Sequence, residues 1–456
     1  MQFIITICIL FSVIYVYIEF FLRFCYNMIA IYNCILVESI SAIIVIPFPK
    51  ISAGVYTSMK EQASGHTLRK LARFLVPVLI LVMGYFGYRH FFPERIFTVG
   101  FIYDNDETAP YSYNFYLAQE AVQKTWQGKV RTIMRSNVLD EHIHLAVQKL
   151  AEGKCDIIFT NSYGNIRDLA PKYPHIQFCQ ASFDSHPKEA PANYHTFKGE
   201  VYQGRYVSGV VAGLKLEEMI KKGKIKPEEA KLGFVAAYPY PEVISGFTAF
   251  LLGARSVVPQ TVMYVKYANT WDSYTLEKAC AEELLEEGCV ILSQHSDTVG
   301  PAIACEESYA KDVYHVGYNI DMTDAAPHTS LTGTRINWTP YVLGAVKAVM
   351  DNKPIEKAVA GTVHPNHDMS AGFKENWVEM TRLNTTLLPE GAQARIKATL
   401  DEMKSGKRQV FKGNYTGVNP EDPKDTVDLR EGFTENKDSS VSSFHYILKD
   451  VITVLK

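Results

Sequence analysis

The sequence lacks every local signature on which a catalytic or metal-dependent reading would rest. No two of its eight cysteines are spaced CxxC and no HExxH occurs, so a zinc site has no anchor in the sequence. There is no GxSxG, no GxxxxGK followed by Ser or Thr, and no GxGxxG after a strand, which removes the usual scaffolds for acyl transfer, phosphate loops and dinucleotides. Glu242 and Asp297 would serve as paired acids only at a separation that the sequence does not fix. An excess of one charge is also missing: 46 Lys and Arg stand against 49 Asp and Glu, a net charge of -3, which argues against a nucleic-acid surface working through bulk charge. Five cysteines follow residue 95 (Cys155, Cys179, Cys280, Cys289 and Cys305). An odd number scattered over apolar segments reads as small core hydrophobes, not as a disulfide framework. No enzymatic activity, cofactor or metal is expected.

What the chain does have is apolar residues, 47% of its 456, unevenly spread. Residues 1–22 and 27–49 are apolar apart from Glu19 and Glu38, and Phe74 to Phe92 is a further run, uncharged up to Arg89, close to membrane-spanning length. Lys60, Arg69, Lys70 and Arg73 precede that run, and by the positive-inside rule they stay cytoplasmic. Everything after about residue 95 is then expected on the extracytoplasmic face of a cell membrane. Met59 opens a polar, basic lead-in of the kind that begins a signal peptide or anchor. Residues 1–58 are accordingly expected to be an extension outside the native protein, the alternative being a genuine region of two or three spans. Residues 59–95 are expected to be a signal anchor or signal peptide. With no small-residue cleavage site near residue 92, the anchor is favoured.

Beyond residue 95 one pattern repeats. In KLGFVAAYPYPEVISGFTAFLLGARSVVP (231–259) a short apolar run ends in a Tyr-Pro-Tyr-Pro-Glu turn, and Val243, Phe247, Phe250, Leu251 and Ala254 then recur at helical spacing. Strands are predicted near 97–103, 129–135, 155–160, 176–181 and 194–201, with helices at 113–127, 141–152, 165–172 and 204–221. A second series has strands near 232–237, 262–267, 289–293 and 313–317 and helices at 243–255, 276–287 and 300–310. A return strand (329–334) and helix (341–350) follow, then a turn-rich tail suggesting hairpins and a closing strap. Strands alternating with helices at this length give an α/β fold of two doubly wound parallel-sheet lobes. Lobe one is expected over about 96–220 plus 330–400 and lobe two over about 228–328. The chain should cross between them more than once, making a hinge around a cleft.

Ligands of open α/β sheets sit outside the carboxyl ends of the strands. Those ends carry Asp104, Asn105 and Asp106, then Tyr111 to Asn114, then Asn161, Ser162 and Tyr163. In the second series they carry Tyr238 and Glu242, then Asn269 to Asp272, then His295, Ser296 and Asp297, then Asn319 and Asp321. Aromatic faces stack on planar ligands, and amides and carboxylates read ring edges. Any one Asp or Asn here is also an ordinary turn former, and a lone Trp is more often core. Repetition at successive strands favours a binding cleft.

Six ordered blocks carry a resemblance: CDIIFTNSYG (155–164), GRYVSGVVAG (204–213), GFVAAYPYPEV (233–243), NTWDSYTLEKA (269–279), ILSQHSDT (291–298) and VGYNIDM (316–322). Over about 97–454 the chain resembles the basic membrane protein family of solute-binding proteins, of the purine nucleoside receptor type, which serve ABC importers. The resemblance implies a type I periplasmic-binding-protein fold, a purine nucleobase or nucleoside as ligand, an ABC permease as partner and no nucleic acid. Carried onto this chain, it makes Ser112-Tyr113-Asn114 the family's Ser-aromatic-Asn signature and Trp271-Asp272 its Trp-Asp block. It also places Trp338, from Asn337-Trp338-Thr339-Pro340-Tyr341, on the cleft wall. Tyr113, Tyr163, Trp271 and Trp338 are expected to stack, and Asn114, Glu242, Asp272, His295, Asp297 and Asp321 to make polar contacts; Tyr111, Ser162 and Asn319 complete the candidate site. Two departures, Asn319 where members tend to have an acid and Arg335 nearest to a usual lysine, favour a nucleobase or another flat heterocycle. The alternative function is a membrane-tethered ligand sensor of the same fold.

Overall fold

A computed structural model describes residues 95–181 and 189–456, together with Tyr85. The expected extension and anchor lie outside these residues, apart from Tyr85 and Arg95. The chain divides into two units, Met1–Glu94 and Arg95–Lys456, and the architecture below is that of the second. Among the described residues no helix is long and apolar enough to cross a membrane.

The chain runs β1 (Phe97–Ile102), α1 (Pro110–Thr125), β2 (Val130–Arg135), α2 (Ile143–Glu152), β3 (Ile157–Thr160), β4 (Gln177–Ala181), β5 (Tyr194–Gly199) and α3 (Val201–Lys221). It continues through β6 (Lys231–Ala236), α4 (Pro241–Arg255), β7 (Val262–Tyr267), α5 (Tyr274–Glu286), β8 (Ile291–His295), α6 (Gly300–Glu307), β9 (Tyr314–Tyr318) and β10 (Ser330–Ile336). The return holds α7 (Thr339–Met350), α8 (Ile355–Ala358), β11 (Thr362–His364), β12 (Asp368–Ala371), β13 (Val378–Met380) and α9 (Ala392–Lys404). Last come β14 (Thr416–Val418), β15 (Thr426–Asp428), β16 (Ile447–Leu448) and β17 (Ile452–Val454). The helix expected over 165–172 is a single 3-10 turn at Ala170–Lys172.

Two sheets of seven strands result, ordered β11-β12-β5-β4-β3-β1-β2 and β13-β10-β9-β8-β6-β7-β17. Each contains the same parallel core, β2-β1-β3-β4-β5 in lobe one and β7-β6-β8-β9-β10 in lobe two, and each ends in one antiparallel edge, β11 or β13. Strand order reverses between β1 and β3, and again between β6 and β8, the point at which doubly wound sheets hold ligands. Strands such as β1 (FTVGFI) and β3 (IIFT) are buried almost throughout, because helices cover both sheet faces. The tail forms the β14–β15 hairpin, adds β16, and lays β17 beside β7 as the closing strap.

The lobe boundaries differ from expectation. The chain leaves the first sheet at Glu200, not in the polar segment after residue 220, because α3 packs on α4, β10 and α9 of lobe two. It returns at Asn337–Trp338 and crosses a third time between Ala371 and Val378. The crossings are laced side by side: Glu200 N donates to Ala371 O at 2.8 Å, and Asn337 N to Trp377 O at 2.8 Å.

The small residues on α3 let two backbones meet. A Cβ on Gly209 would run into the Phe250 carbonyl of α4, and one on Gly253 into the Tyr206 carbonyl of α3. Replacing Gly209 by Val is expected to cost about 1–3 kcal/mol through overpacking, read as a lower midpoint in thermal and urea unfolding; an unchanged midpoint would show that the helices separate freely.

Candidate ligand-binding cleft

The carboxyl ends of both sheets face a cavity of about 320 Å³, at the small end of the range for small-molecule sites. Lobe one contributes Asp104 and Asn105 after β1, Tyr111 from the first turn of α1, Val138, Leu139 and Asp140 after β2, Tyr163 after β3, and Lys198 from β5. Lobe two contributes Tyr238 and Glu242 around the start of α4, Thr270, Trp271 and Asp272 after β7, His295 at the end of β8 and Asp297 just beyond it, and Tyr318 at the end of β9 with Asn319 next to it. Prolines at 239 and 241 hold this first stretch: Tyr240 is extended, Pro241 opens α4, and Glu242 falls in its first turn.

The lobe-two wall is an aromatic series. Tyr238 and Trp271 lie 5.6 Å apart between ring centroids, Trp271 and His295 6.3 Å, and His295 and Tyr318 4.4 Å. Behind Tyr318 the fully buried Arg205 guanidinium stacks 3.8 Å from the ring centroid. Burial lowers the Arg205 pKa to about 10, which leaves it cationic at neutral pH. Across the cleft Lys198 Nζ meets Glu242 Oε2 at 3.0 Å, with side chains only 4% and 10% exposed, so one ion pair joins sheet one to lobe two. Glu242 Oε1 also lies 3.8 Å from His295 Nε2.

Protonation follows from these surroundings. Burial, then the Arg205 and Lys198 cations, push His295 well below the ordinary imidazole value, so the ring is neutral at pH 7. Asp297 keeps some exposed surface yet lies deep among protein atoms, and that burial raises its carboxyl to about 8, against the pull of the 3.0 Å bond from Asn319 Nδ2. Burial also raises Asp104, although Ser112 Oγ and the Asn105 N–H donate to it at 2.7 Å. Beneath the β8 loop, Glu277 accepts from Ser296 Oγ, Thr298 N and Thr298 Oγ1 and holds the loop in shape. Among the described residues His295 Nδ1 and Asn319 Oδ1 have no protein partner. Buried polar atoms of that kind are normally satisfied, and here they belong to residues that line a cavity.

The structure brings Tyr111, Tyr163, Glu242, Trp271, Asp272, His295, Asp297 and Asn319 together around the cavity. The other five candidates lie elsewhere. Trp338 is 1% exposed in the lobe-one core, its ring 4.7 Å from Phe115 and 5.4 Å from Phe197, because α7 docks there immediately after its crossing. Tyr113 points outward from α1 and is 39% exposed. Asn114 donates to the Asn319 carbonyl at 2.9 Å, a latch between lobes. Ser162 donates to Asp140 Oδ1 at 2.7 Å and caps its own turn. Asp321 is held by Arg382 at 2.8 Å. Sequence reasoning overlooked Lys198, Tyr318, Val138, Leu139 and Asp140. A lone lysine late in the otherwise uncharged strand YHTFKG was the available signal for the first; the end of β2 went unread for the last three.

A family model for PnrA-like ABC transporter substrate-binding proteins (Bmp) matches residues 96–406. The chain belongs to the Bmp family. This Bmp chain is 28% identical over 325 residues to a purine-binding protein of Brucella abortus, covering 70% of the chain and 84% of that protein. It is 27% identical over 197 residues to a putative ABC transporter glucose-binding protein of Haloferax volcanii, 42% of the chain and 46% of that protein. In fold it is similar to the crystal structure of ABC transporter solute-binding proteins from Aeropyrum pernix, with a TM-score of 0.55 at 17% identity, over 72% of this chain and 94% of that one. The Bmp chain therefore has the periplasmic-binding-protein architecture and the role of an ABC substrate-binding protein.

A buried acid with a raised pKa binds a proton in the folded state that the unfolded chain gives up at ordinary carboxylate values. Folding stability then falls as pH rises from about 4 to about 8, because the native state holds the extra proton. Asp297→Asn removes that dependence. The melting temperature of the variant relative to the ligand-free parent should rise between pH 5 and pH 8, and a difference that stays flat or falls would show Asp297 already ionised at pH 5.

Proposed function

We propose that this Bmp chain captures an uncharged, flat, purine-like heterocycle in the cleft and presents the closed form to an ABC permease on the extracytoplasmic side of the membrane. The observation that carries the reading is the pairing of the Tyr238–Trp271 ring wall with hydrogen-bonding groups that are neutral at pH 7, His295 and the acid form of Asp297. Rings supply stacking for any planar ligand. Asp297 in its acid form both donates and accepts, and neutral imidazole does the same, which suits a base edge that alternates donors and acceptors. The purine-binding relative from Brucella abortus supports the same class.

Within that class a nucleobase fits better than a nucleoside. Asn319 follows β9 at the position where an acid would favour a ribose hydroxyl, and its amide is turned to Asp297. Asp321, two residues on, is engaged by Arg382 and does not replace it. Ligand binding favours closure because only the closed form presents both walls at once. The anchor that would keep the domain at the membrane is part of the proposal, carried by the apolar run 74–92 and the basic residues before it.

Calorimetry with adenine, guanine, hypoxanthine, their nucleosides and glucose tests the reading. A purine base should bind tightest, and Trp271→Ala should weaken it by about 1–3 kcal/mol with the melting temperature kept. Saturable binding of glucose without any purine binding would overturn it.

A further inference from the structure

Lobe one gathers a second set of functional side chains towards the β11 end of its sheet, away from the cleft lining. His195 lies in β5 and His367 just before β12, and these strands pair in parallel with Asp368 opposite Thr196. The Thr196 N–H donates to the His367 carbonyl at 3.1 Å, so the two histidines are neighbours across the strands. Glu356, in the short helix α8, completes the group: its Oε1 lies 2.6 Å from His195 Nδ1 and 3.1 Å from His367 Nδ1. We propose that His195, Glu356 and His367 form a binding site for a divalent first-row transition ion, with zinc the best-fitting example.

The donor set is that of an open metal site. Two imidazoles and one carboxylate each offer one atom, and the three atoms lie within 4.8 Å of one another. Zinc bonds of about 2.0–2.2 Å in a tetrahedron need ligand atoms roughly 3.4 Å apart. The two nitrogen–oxygen separations, 2.6 and 3.1 Å, are shorter, and rotation of the Glu356 side chain opens them. Gln177 Oε1 lies 2.9 Å from His195 Nε2 and accepts its proton, an outer partner that fixes the tautomer. With Nε2 turned to Gln177, Nδ1 is the ring atom that faces Glu356 Oε1, which His367 Nδ1 also faces. Two ring nitrogens and a carboxylate oxygen converging on one point bring together the donor types that a divalent first-row ion takes.

The turn of the β11–β12 hairpin places one member of the group. Asn366 and His367 both have a φ of 61°, in the left-handed region that side chains disfavour, and the turn they form delivers the His367 ring to Glu356. The site is reachable. The His367 side chain is 40% exposed whereas those of His195 and Glu356 are 5% and 14% exposed, so an ion enters from the His367 side and water can take the remaining position. Bound there, an ion would tie β5, β12 and α8 together, and β5 is the strand that carries Lys198 into the cleft.

The test is zinc and cobalt titration of the intact, untagged chain after chelator treatment. The parent should take up one equivalent of Zn²⁺, melt at a higher temperature with zinc than with chelator, and give the visible absorption of tetrahedral Co²⁺. His367→Ala and Glu356→Gln should each weaken zinc binding at least 10-fold, and Gln177→Leu by about 10–100-fold, the usual effect of removing an outer partner. His328→Ala, which removes another His–Glu contact on lobe two, should leave the titration unchanged. His367 is half-exposed, so its variant should keep the melting temperature of the chelator-treated parent and remain interpretable. The proposal fails if the parent takes up no stoichiometric zinc, if His367→Ala binds as the parent does, or if the melting temperature responds to pH alone and not to zinc, which would make the cluster a proton-sharing pair.

Discussion

The geometry of the cleft depends on one ion pair, Lys198 with Glu242. Both groups are nearly buried, one on the sheet of lobe one and the other in the first turn of α4 in lobe two, so they meet only when the lobes come together. Burying either charge alone is costly, and breaking such a pair by removing one partner typically costs about 3–5 kcal/mol. The pair therefore gives the closed form a register that burial of apolar surface could not. Asn114 bonding to the Asn319 carbonyl adds a second fixed point on the same seam.

The rest of the site follows from repeating one topology. Because each sheet reverses its order at the same place, each has a crevice at its strand ends, and the three crossings hold the two crevices face to face. Lobe two supplies the aromatic series and the neutral polar groups, while lobe one adds Asp104, Tyr111, Tyr163 and the lysine. Arg205 stacks behind Tyr318 and contributes to keeping His295 uncharged, so a residue outside the cavity helps set the character of its wall. This division suits a receptor in which one lobe gathers the ligand and the other completes the enclosure.

The parallel core was legible in the sequence because its strands are short, apolar and bounded by turns, and the polar clusters fell at their ends. The attachment of α3 was not. The helix is buried on nearly every side from Val201 to Leu216, so no apolar face reveals which lobe it joins. Tyr111 and Tyr113 show the limit of motif reading: two residues on a helix are about 200° apart, so only one of them can face the cleft. Trp338 follows a crossing whose direction the sequence does not give, and Lys198 sits in a strand that otherwise reads as core. The His195, Glu356 and His367 group was invisible for a related reason. Its members are separated by 161 and 11 positions, and only strand pairing brings them together.

In the proposed function ligand capture and lobe closure are one event, joined by the Lys198–Glu242 pair. A double-mutant cycle of Lys198→Met and Glu242→Gln, read as calorimetric affinity for the tightest-binding purine, tests it most directly. Each single change should weaken binding, and the double variant should be no weaker than the poorer single. Losses that simply add would mean that the two charges act independently, and closure across this pair would then not be what holds the ligand.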